Sequence, residues 1–469
     1  MNSSNFPLAV PNPFAVPNPF EIPSDEEIRE ILVKRIDQQK QAVGIVVGIA
    51  EAGGRRVIAY GNFAAGDTRV VDGDTIFEIG SVTKVFTSLL LADMVRRAEV
   101  TLEDPATKYL PEHVQLPVRY GKAITLRDLS MHTSGLPRIP DNLNAQDPAN
   151  PYANYSVEDL YRFLSGYTLP HDPGSEVEYS NLGAGLLGHI LARRAGMDFE
   201  NLIRARITEP LAMPDTGITL TSSMQQRMAT GHNAMLTPVA NWDLPTLAGA
   251  GALRSSVHDM LTFLEAFLDC EESGNKGADL TPAMKSMLDV RRPASQGKFE
   301  TGLGWMILED RAWHDGGTGG FCSFAGYDPQ ERIGIVVLSN AFAVPGIVDI
   351  GIHLLNPKRP LLNIDSPLRQ HGENSVDYES LDHYMGRYWL PDRVLEIKRD
   401  GDRLFAQVME VVGKAIAGPA FEMFVESENV FGVKMIGGRI SFEIGPDGRA
   451  THLIMHRTDR EAVRGERFE

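Results

Sequence analysis

The feature that most constrains this chain is the order of its textures before residue 356: strand-like, then helical, then strand-like again. VGIVVGIAEAGGRRVIAYG (43–61) reads as two buried strands turning around Gly53-Gly54. From about residue 81 to residue 270 helical patterns dominate, including VFTSLLLADMV (85–95) and NLGAGLLGHILARRAG (181–196). TGLGWMILED, FCSFAGYDP and RIGIVVLSN then return to strand pattern. The economical architecture is α+β. One antiparallel sheet is formed by both ends and flanked by helices, with a helical subdomain inserted between them. SDEEIREILVKRIDQQK (24–40) places a further helix in front, with Ser24 as N-cap, acids in the first turn, and Ile28, Ile31 and Leu32 on one face.

Residues 24–355 therefore form one domain, and the polar, proline-containing stretch 356–380 reads as a linker. Beyond it, in 381–469, short alternating runs such as VLEIKRDGDRLFAQVM and GGRISFEIGPDGRATHLIMHR are separated by turn signals at Asp400-Gly401-Asp402 and Gly445-Pro446-Asp447-Gly448. They predict an up-and-down antiparallel sheet closing into a small β-barrel. Residues 1–23 repeat VPNPF and are too rich in proline for a helix, so an extended arm is expected. It reads either as a leader or as an arm that packs Phe14 and Phe20 on a second copy in a homo-oligomer.

Composition narrows the function classes. The 469 residues carry a formal net charge of −17, which argues against nucleic acid and anionic membrane as partners. No stretch is long and apolar enough to span a bilayer. The N-terminus lacks the basic region and unbroken apolar core of a signal peptide, so a cytoplasmic location is expected. The two cysteines, Cys270 and Cys322, have no spacing that asks for pairing and no metal-site clustering.

Three motifs carry chemistry. Ser81 and Lys84 stand in an S-x-x-K spacing that opens a strongly apolar helix. Residues three apart share a helix face, so the hydroxyl meets the amine. A desolvated lysine loses its proton more easily and can take that of the serine. The helix N-terminus favours a developing oxyanion. Ser273–Lys276 and Ser295–Lys298 repeat the spacing in polar, glycine-containing segments, and read as accidents. Tyr179-Ser180-Asn181 puts a phenol and a carboxamide at the entry of a helix, the first able to pass a proton to a leaving group and the second to orient substrate. Tyr60–Asn62 and Tyr152–Asn154 repeat that pattern in a hairpin and a loop, and read as chance. In AWHDGGTGGFCSFAGYDP, His314-Asp315-Gly316 runs into Gly317-Thr318-Gly319-Gly320 before a strand. Glycines there allow backbone to approach a ligand, and a backbone N–H, that of Gly317, is the expected second oxyanion donor.

In the order S-x-x-K, Y-x-N, H-x-G, the chain resembles the superfamily of class C β-lactamases and low-molecular-weight penicillin-binding proteins. More narrowly, it resembles the β-lactamase-related serine hydrolases that include D-amino-acid peptidases, D-aminopeptidases and esterases. ITLRDLSMHTSGLP (124–137), EPLAMPDTGI (209–218) and AGAGALRSSVHDMLTFL (248–264) agree. The resemblance spans roughly 24–355 and implies a β-lactamase/transpeptidase-like fold. The C-terminal barrel resembles lipocalin-like domains appended to some members. What the resemblance implies is a Ser81 acyl-enzyme with Lys84 and Tyr179 as proton carriers. Substrate is held by Asn181, His314, Gly316, Gly317 and Thr318, with an oxyanion hole from the N–H groups of Ser81 and Gly317. No metal or cofactor is implied, and His132 reads as structural.

The chain departs from the Lys-Thr-Gly of many relatives at His314-Asp315-Gly316. A histidine, with its ordinary pKa near 6.5, supplies much less positive charge at neutral pH than a lysine. Asp315 subtracts more if it faces the cleft. Both weaken binding of a penicillin-type carboxylate. The expectation is therefore cleavage of amide bonds in short, D-configured peptides. Esterase, β-lactamase and slow penicillin-binding sensor remain the alternatives.

Overall fold

The computed structural model describes residues 22–468 apart from 144, 146, 148, 270–278, 295–298, 344–345, 363–377, 392, 402, 412–413, 416–419, 428, 434–437 and 458–459. The arm up to residue 21, Cys270, most of the linker and the two decoy S-x-x-K pairs lie wholly or partly outside the described residues.

Helix α1 (Asp25–Val33) begins at Ser24, whose hydroxyl accepts the Glu27 N–H while the Glu27 side chain returns to the Ser24 N–H. Strands β1 (Gly44–Glu51) and β2 (Gly54–Gly61) form the hairpin, paired from Gly44↔Gly61 to Glu51↔Gly54. Its turn is Ala52-Gly53, one residue before the expected pair. Of the two, β1 is buried from Gly44 to Ala50. Strand β2 is largely half-exposed, because it is the edge of the sheet and has a neighbour on one side alone.

After the helical region come β3 (Arg292–Ala294), β4 (Phe299–Thr301), β5 (Met306–Leu308), β6 (Arg311–Gly317), β7 (Cys322–Asp328) and β8 (Ile333–Ser339). The eight strands run β2-β1-β8-β7-β6-β5-β4-β3, antiparallel throughout. The join of the two chain ends is β1 against β8, from Ile45↔Ser339 to Ala50↔Gly334. Strand alternation then builds two cores. Ile45, Val47, Ile49, Phe324 and Val337 pack with Ile28 and Leu32 of α1 and with Ile350 and Leu354 further on. Val46, Ala50, Ala325, Val336 and Leu338 face the other way, toward the helical layer. A strand buried on both faces is apolar at every position, which is why β1 reads as a continuous hydrophobic run.

The helical layer is centred on α2 (Thr83–Arg96), buried from Thr83 to Met94. Such a helix is tolerable only if its polar side chains find partners. Thr87 donates to the Gly249 carbonyl at 2.8 Å, Ser88 meets the Ser130 hydroxyl at 2.7 Å, and Asp93 is ion-paired to Arg97 and Arg206 at 2.8 and 3.1 Å. Helix α3 (Asn181–Ala195) runs beside it, capped by Ser180, whose hydroxyl accepts the Gly183 N–H, and closed by Gly196 in the left-handed region. Helix α4 (Val257–Leu268) lies on the sheet, with Phe263 stacked on Phe86 of α2 at 4.0 Å between centroids.

The C-terminal strands are β9 (Gly386–Leu390), β10 (Arg393–Asp400), β11 (Arg403–Val411), β12 (Lys414–Ala415), β13 (Ala420–Ser427), β14 (Val430–Val433), β15 (Gly438–Ile444), β16 (Ala450–Arg457) and β17 (Arg460–Arg467). They form one antiparallel sheet in the order β10-β9-β17-β16-β15-β14-β13-β11-β12, with β10 also paired to β11. The turn signals stand where they were read. Asp400 pairs with Arg403 across Gly401, and the Gly445 N–H bonds the Arg449 carbonyl at 2.8 Å. This sheet has its own core around Tyr388, Leu395, Ile397, Leu404, Phe431, Ile440 and Leu453.

Candidate active site

Ser81 sits in a 3-10 turn, Gly80–Val82, that runs directly into α2. One helical turn on, the Lys84 amine lies 2.9 Å from the Ser81 hydroxyl and donates to the Ala250 carbonyl at 2.6 Å. The Ala250 carbonyl fixes one amine hydrogen, which leaves the nitrogen directed at Ser81. Lys84 is only 2% exposed. Burial drives its pKa well below the usual lysine value, and the like charge of Arg138 pushes the same way.

Tyr179 precedes α3, and its phenol lies near enough to the Ser81 side chain to interact with it. Burial raises its pKa above the usual tyrosine value, so the phenol keeps its proton at neutral pH. Its ring is held from several sides: the Lys84 amine at 4.9 Å from the centroid, the Arg138 guanidinium at 5.0 Å and the His132 ring at 4.5 Å. His132 accepts the Ser180 N–H on Nδ1 at 3.1 Å, a positioning role that agrees with its structural reading.

The strand side is formed by β6. A Cβ on Gly316 would stand 2.2 Å from the Ile79 carbonyl oxygen and 2.9 Å from the Ser81 nitrogen, and one on Gly80, at φ +48, would stand 2.8 Å from the Gly317 nitrogen. Only glycines let the start of α2 abut the strand this closely. The Ser81 and Gly317 nitrogens are thereby brought to the same contact.

His314 is buried, and its Nδ1–H donates to the Asp315 carbonyl at 2.5 Å. Burial first, then the Lys84 charge, push its pKa down to about 3, so it is neutral across the physiological range. The residual charge expected of it is therefore absent. Asp315 falls on the opposite face of β6, because strand residues alternate. It pairs with Phe324 of the outer core, while His314 pairs with Ala325 of the inner one. It is half-buried, and burial raises its pKa. Thr318 is also buried, with its hydroxyl beside the Glu78 carboxylate, which is paired to Arg254 at 3.2 Å. The Thr318 hydroxyl itself is buried with no hydrogen-bond partner among the described residues. Asn181 anchors α3 through its N–H to the Arg138 carbonyl at 2.9 Å, while its Oδ1 is buried with no hydrogen-bond partner among the described residues.

Two residues at this site escaped sequence reasoning. Tyr152, set aside as part of a chance Y-x-N, is buried against the Asn181 side chain and edge-on to Trp242 at 5.4 Å. Arg138 stands one residue beyond the HTSGLP segment, and that adjacency is the signal that could have found it. Tyr60 was set aside correctly: its phenol donates to Asp37 at 2.6 Å, on the edge strand. Cys322 is a free, buried thiol whose pKa burial pushes up to about 12, the behaviour of a packing residue.

Known proteins resemble this chain over the segment that carries the site. The chain is 29% identical over 311 residues to the D-alanyl-D-alanine-carboxypeptidase/endopeptidase AmpH of Escherichia coli (strain K12), which covers 63% of this chain and 79% of the relative. It is 27% identical over 373 residues to a beta-lactamase of the same organism, covering 71% and 94%. It is 27% identical over 297 residues to protein flp of Staphylococcus aureus (strain N315), covering 61% and 57%. Residues 30–353, well over half of the chain and all of the segment that builds the site, match the Beta-lactamase family, and the chain belongs to that family of serine hydrolases.

Proposed function

We propose that this chain cleaves amide bonds of short, D-amino-acid-containing peptides through a Ser81 acyl-enzyme. The observation that carries the proposal is the desolvated Lys84 amine, 2.9 Å from the Ser81 hydroxyl and pinned by the Ala250 carbonyl. In its neutral form the amine gives an N–H to Ala250 and accepts the Ser81 proton on its lone pair. The Ser81 oxygen then adds to the substrate carbonyl, and the N–H groups of Ser81 and Gly317 hold the negative oxygen. Tyr179, protonated at neutral pH, gives its proton to the leaving amine and recovers one from the Lys84 ammonium. Water releases the acyl group by the reverse relay. The opposed pKa shifts of Lys84 and Tyr179 favour this division of base and acid. Asn181 Oδ1, which has no hydrogen-bond partner among the described residues, is suited to receive a substrate N–H.

The peptide reading over the ester reading rests on the carboxypeptidase/endopeptidase relative. A β-lactamase activity is the second reading, favoured by the beta-lactamase of which 94% is covered, and disfavoured by the neutral His314 where many β-lactamases hold a lysine. Closure of the C-terminal sheet into a lipocalin-like barrel belongs to the same proposal and is supported by β10 pairing with both β9 and β11. The test is incubation with a D-alanyl anilide, a short-chain nitrophenyl ester and a fluorescent penicillin. Anilide turnover is the expected result. Ester turnover alone makes the chain an esterase, penicillin turnover a β-lactamase, and stable labelling without turnover a penicillin-binding sensor.

A further inference from the structure

Resting on that hydrolase reading, we propose that Arg138, beside the Tyr179 ring, is the residue that receives a carboxylate of the substrate. Around the Ser81 hydroxyl the titratable groups are shifted away from charge. Lys84 and His132 are pushed down, His314 to about 3, and Tyr179 up. A site so desolvated would bind an anionic substrate poorly, because the substrate must also shed its water. Arg138 remains permanently charged at this spot.

Its placement fits the role. The side chain is exposed, and its guanidinium lies 5.0 Å from the centroid of the same Tyr179 ring that the Lys84 amine approaches at 4.9 Å. Among the described residues Arg138 makes no ion pair with a carboxylate. Asp315, the acid that couples to it, is not within ion-pair distance.

Its backbone, by contrast, is fixed. The Pro137 carbonyl accepts the Ser180 hydroxyl at 2.7 Å, and the Arg138 carbonyl accepts the Asn181 N–H at 2.9 Å. The root of the side chain is therefore tied to the turn that carries Tyr179, so the cation and the phenol keep one geometry. An arginine fork held beside the reacting groups, with no acid of its own, is preorganised for bidentate carboxylate binding. Ile139, 45% exposed, adds an apolar neighbour. The substrate class implied carries a carboxylate a few bonds from the scissile carbonyl, on the acyl or the leaving side.

Two matched substrate pairs test this: mono-p-nitrophenyl adipate against p-nitrophenyl hexanoate, and acetyl-D-alanyl-D-alanine against its C-terminal amide. The readout is the ratio of kcat/KM for the acid over its neutral partner, in which any general change in acylation cancels. Wild type should favour the acid in one of the pairs by about tenfold at low salt. The preference should shrink in 0.5 M NaCl, collapse in Arg138→Ala, and return in part in Arg138→Lys. An exposed side chain without internal bonds can be replaced without unfolding the protein, and thermal melting checks this. A wild type that turns over the neutral substrates through Ser81 with no acid preference, or a preference that survives Arg138→Ala, overturns the inference and leaves the hydrolase reading standing. A wild type inert to all four, with Ser81 unacylated by mass, removes both.

Discussion

The helical face of the first sheet and the core of the C-terminal sheet both bury apolar side chains but treat polarity differently. Around the start of α2 and β6 a buried amine, two buried imidazoles and a half-buried phenol come together, each with its pKa displaced mainly by loss of water. In the C-terminal core the buried side chains are almost all hydrocarbon, and the phenol of Tyr388 is tied to the Tyr384 carbonyl at 2.7 Å. Charged pairs there stay near the surface, as with Arg464 and Glu443. Burying unpaired polar groups costs stability. Beside Ser81 that cost is offset by hydrogen bonds to Lys84, His132 and His314, which leaves their displaced proton affinities as the mark of the region. The difference teaches where reactivity resides: in side chains whose proton affinity the fold has moved.

The comparison can be broken most sharply at Ser81. Ser81→Ala should lower turnover by roughly 10⁴-fold or more while leaving the melting temperature within a few degrees. Full activity in that variant would remove the site altogether. Lys84→Met should slow acylation by about 10²- to 10⁴-fold, measured as the pre-steady-state burst of a chromogenic ester. Wild-type burst rates would exclude it as the base.

In the other region, Phe431→Ala should cost about 3–5 kcal/mol of unfolding free energy in urea, with kcat/KM of the folded protein unchanged. Altered kinetics would show that the C-terminal core reaches the chemistry. The smallest effect is in acid. His314 has a folded pKa lowered to about 3, so the unfolded chain binds the extra proton first. Stability from this group is complete above the ordinary histidine value and falls as pH drops from about 6.5 toward 3. His314→Asn should flatten that part of the stability curve, and an unchanged curve would mean that His314 is not buried neutral.

Much of this was legible in the residues. The S-x-x-K copy that opens an apolar helix is the one that meets Tyr179, and the copies in polar segments lie outside the described residues. Hairpins marked by Gly53 and by Gly445-Pro446-Asp447-Gly448 formed because turn chemistry is local. Less legible was anything that depends on which way a residue faces. β2 carried apolar residues but became an edge. Thr318 lies in the expected loop, but its burial near Glu78 was not legible. Tyr152 looked like chance because its partner, Asn181, is 29 positions away along the chain.

The sequence by itself determined the elements, the pairing of strand-rich ends around a helical middle, and the identity of the hydroxyl, amine and phenol. Those follow from periodicity, capping and motif spacing, which act over a few residues. Tertiary structure alone decided which of these groups carry charge. Desolvation and the fields of neighbours distant in sequence fix a proton's affinity, so a neutral His314, a weakly basic Lys84 and an uncompensated Arg138 exist only once β6, α2 and the start of α3 have come together.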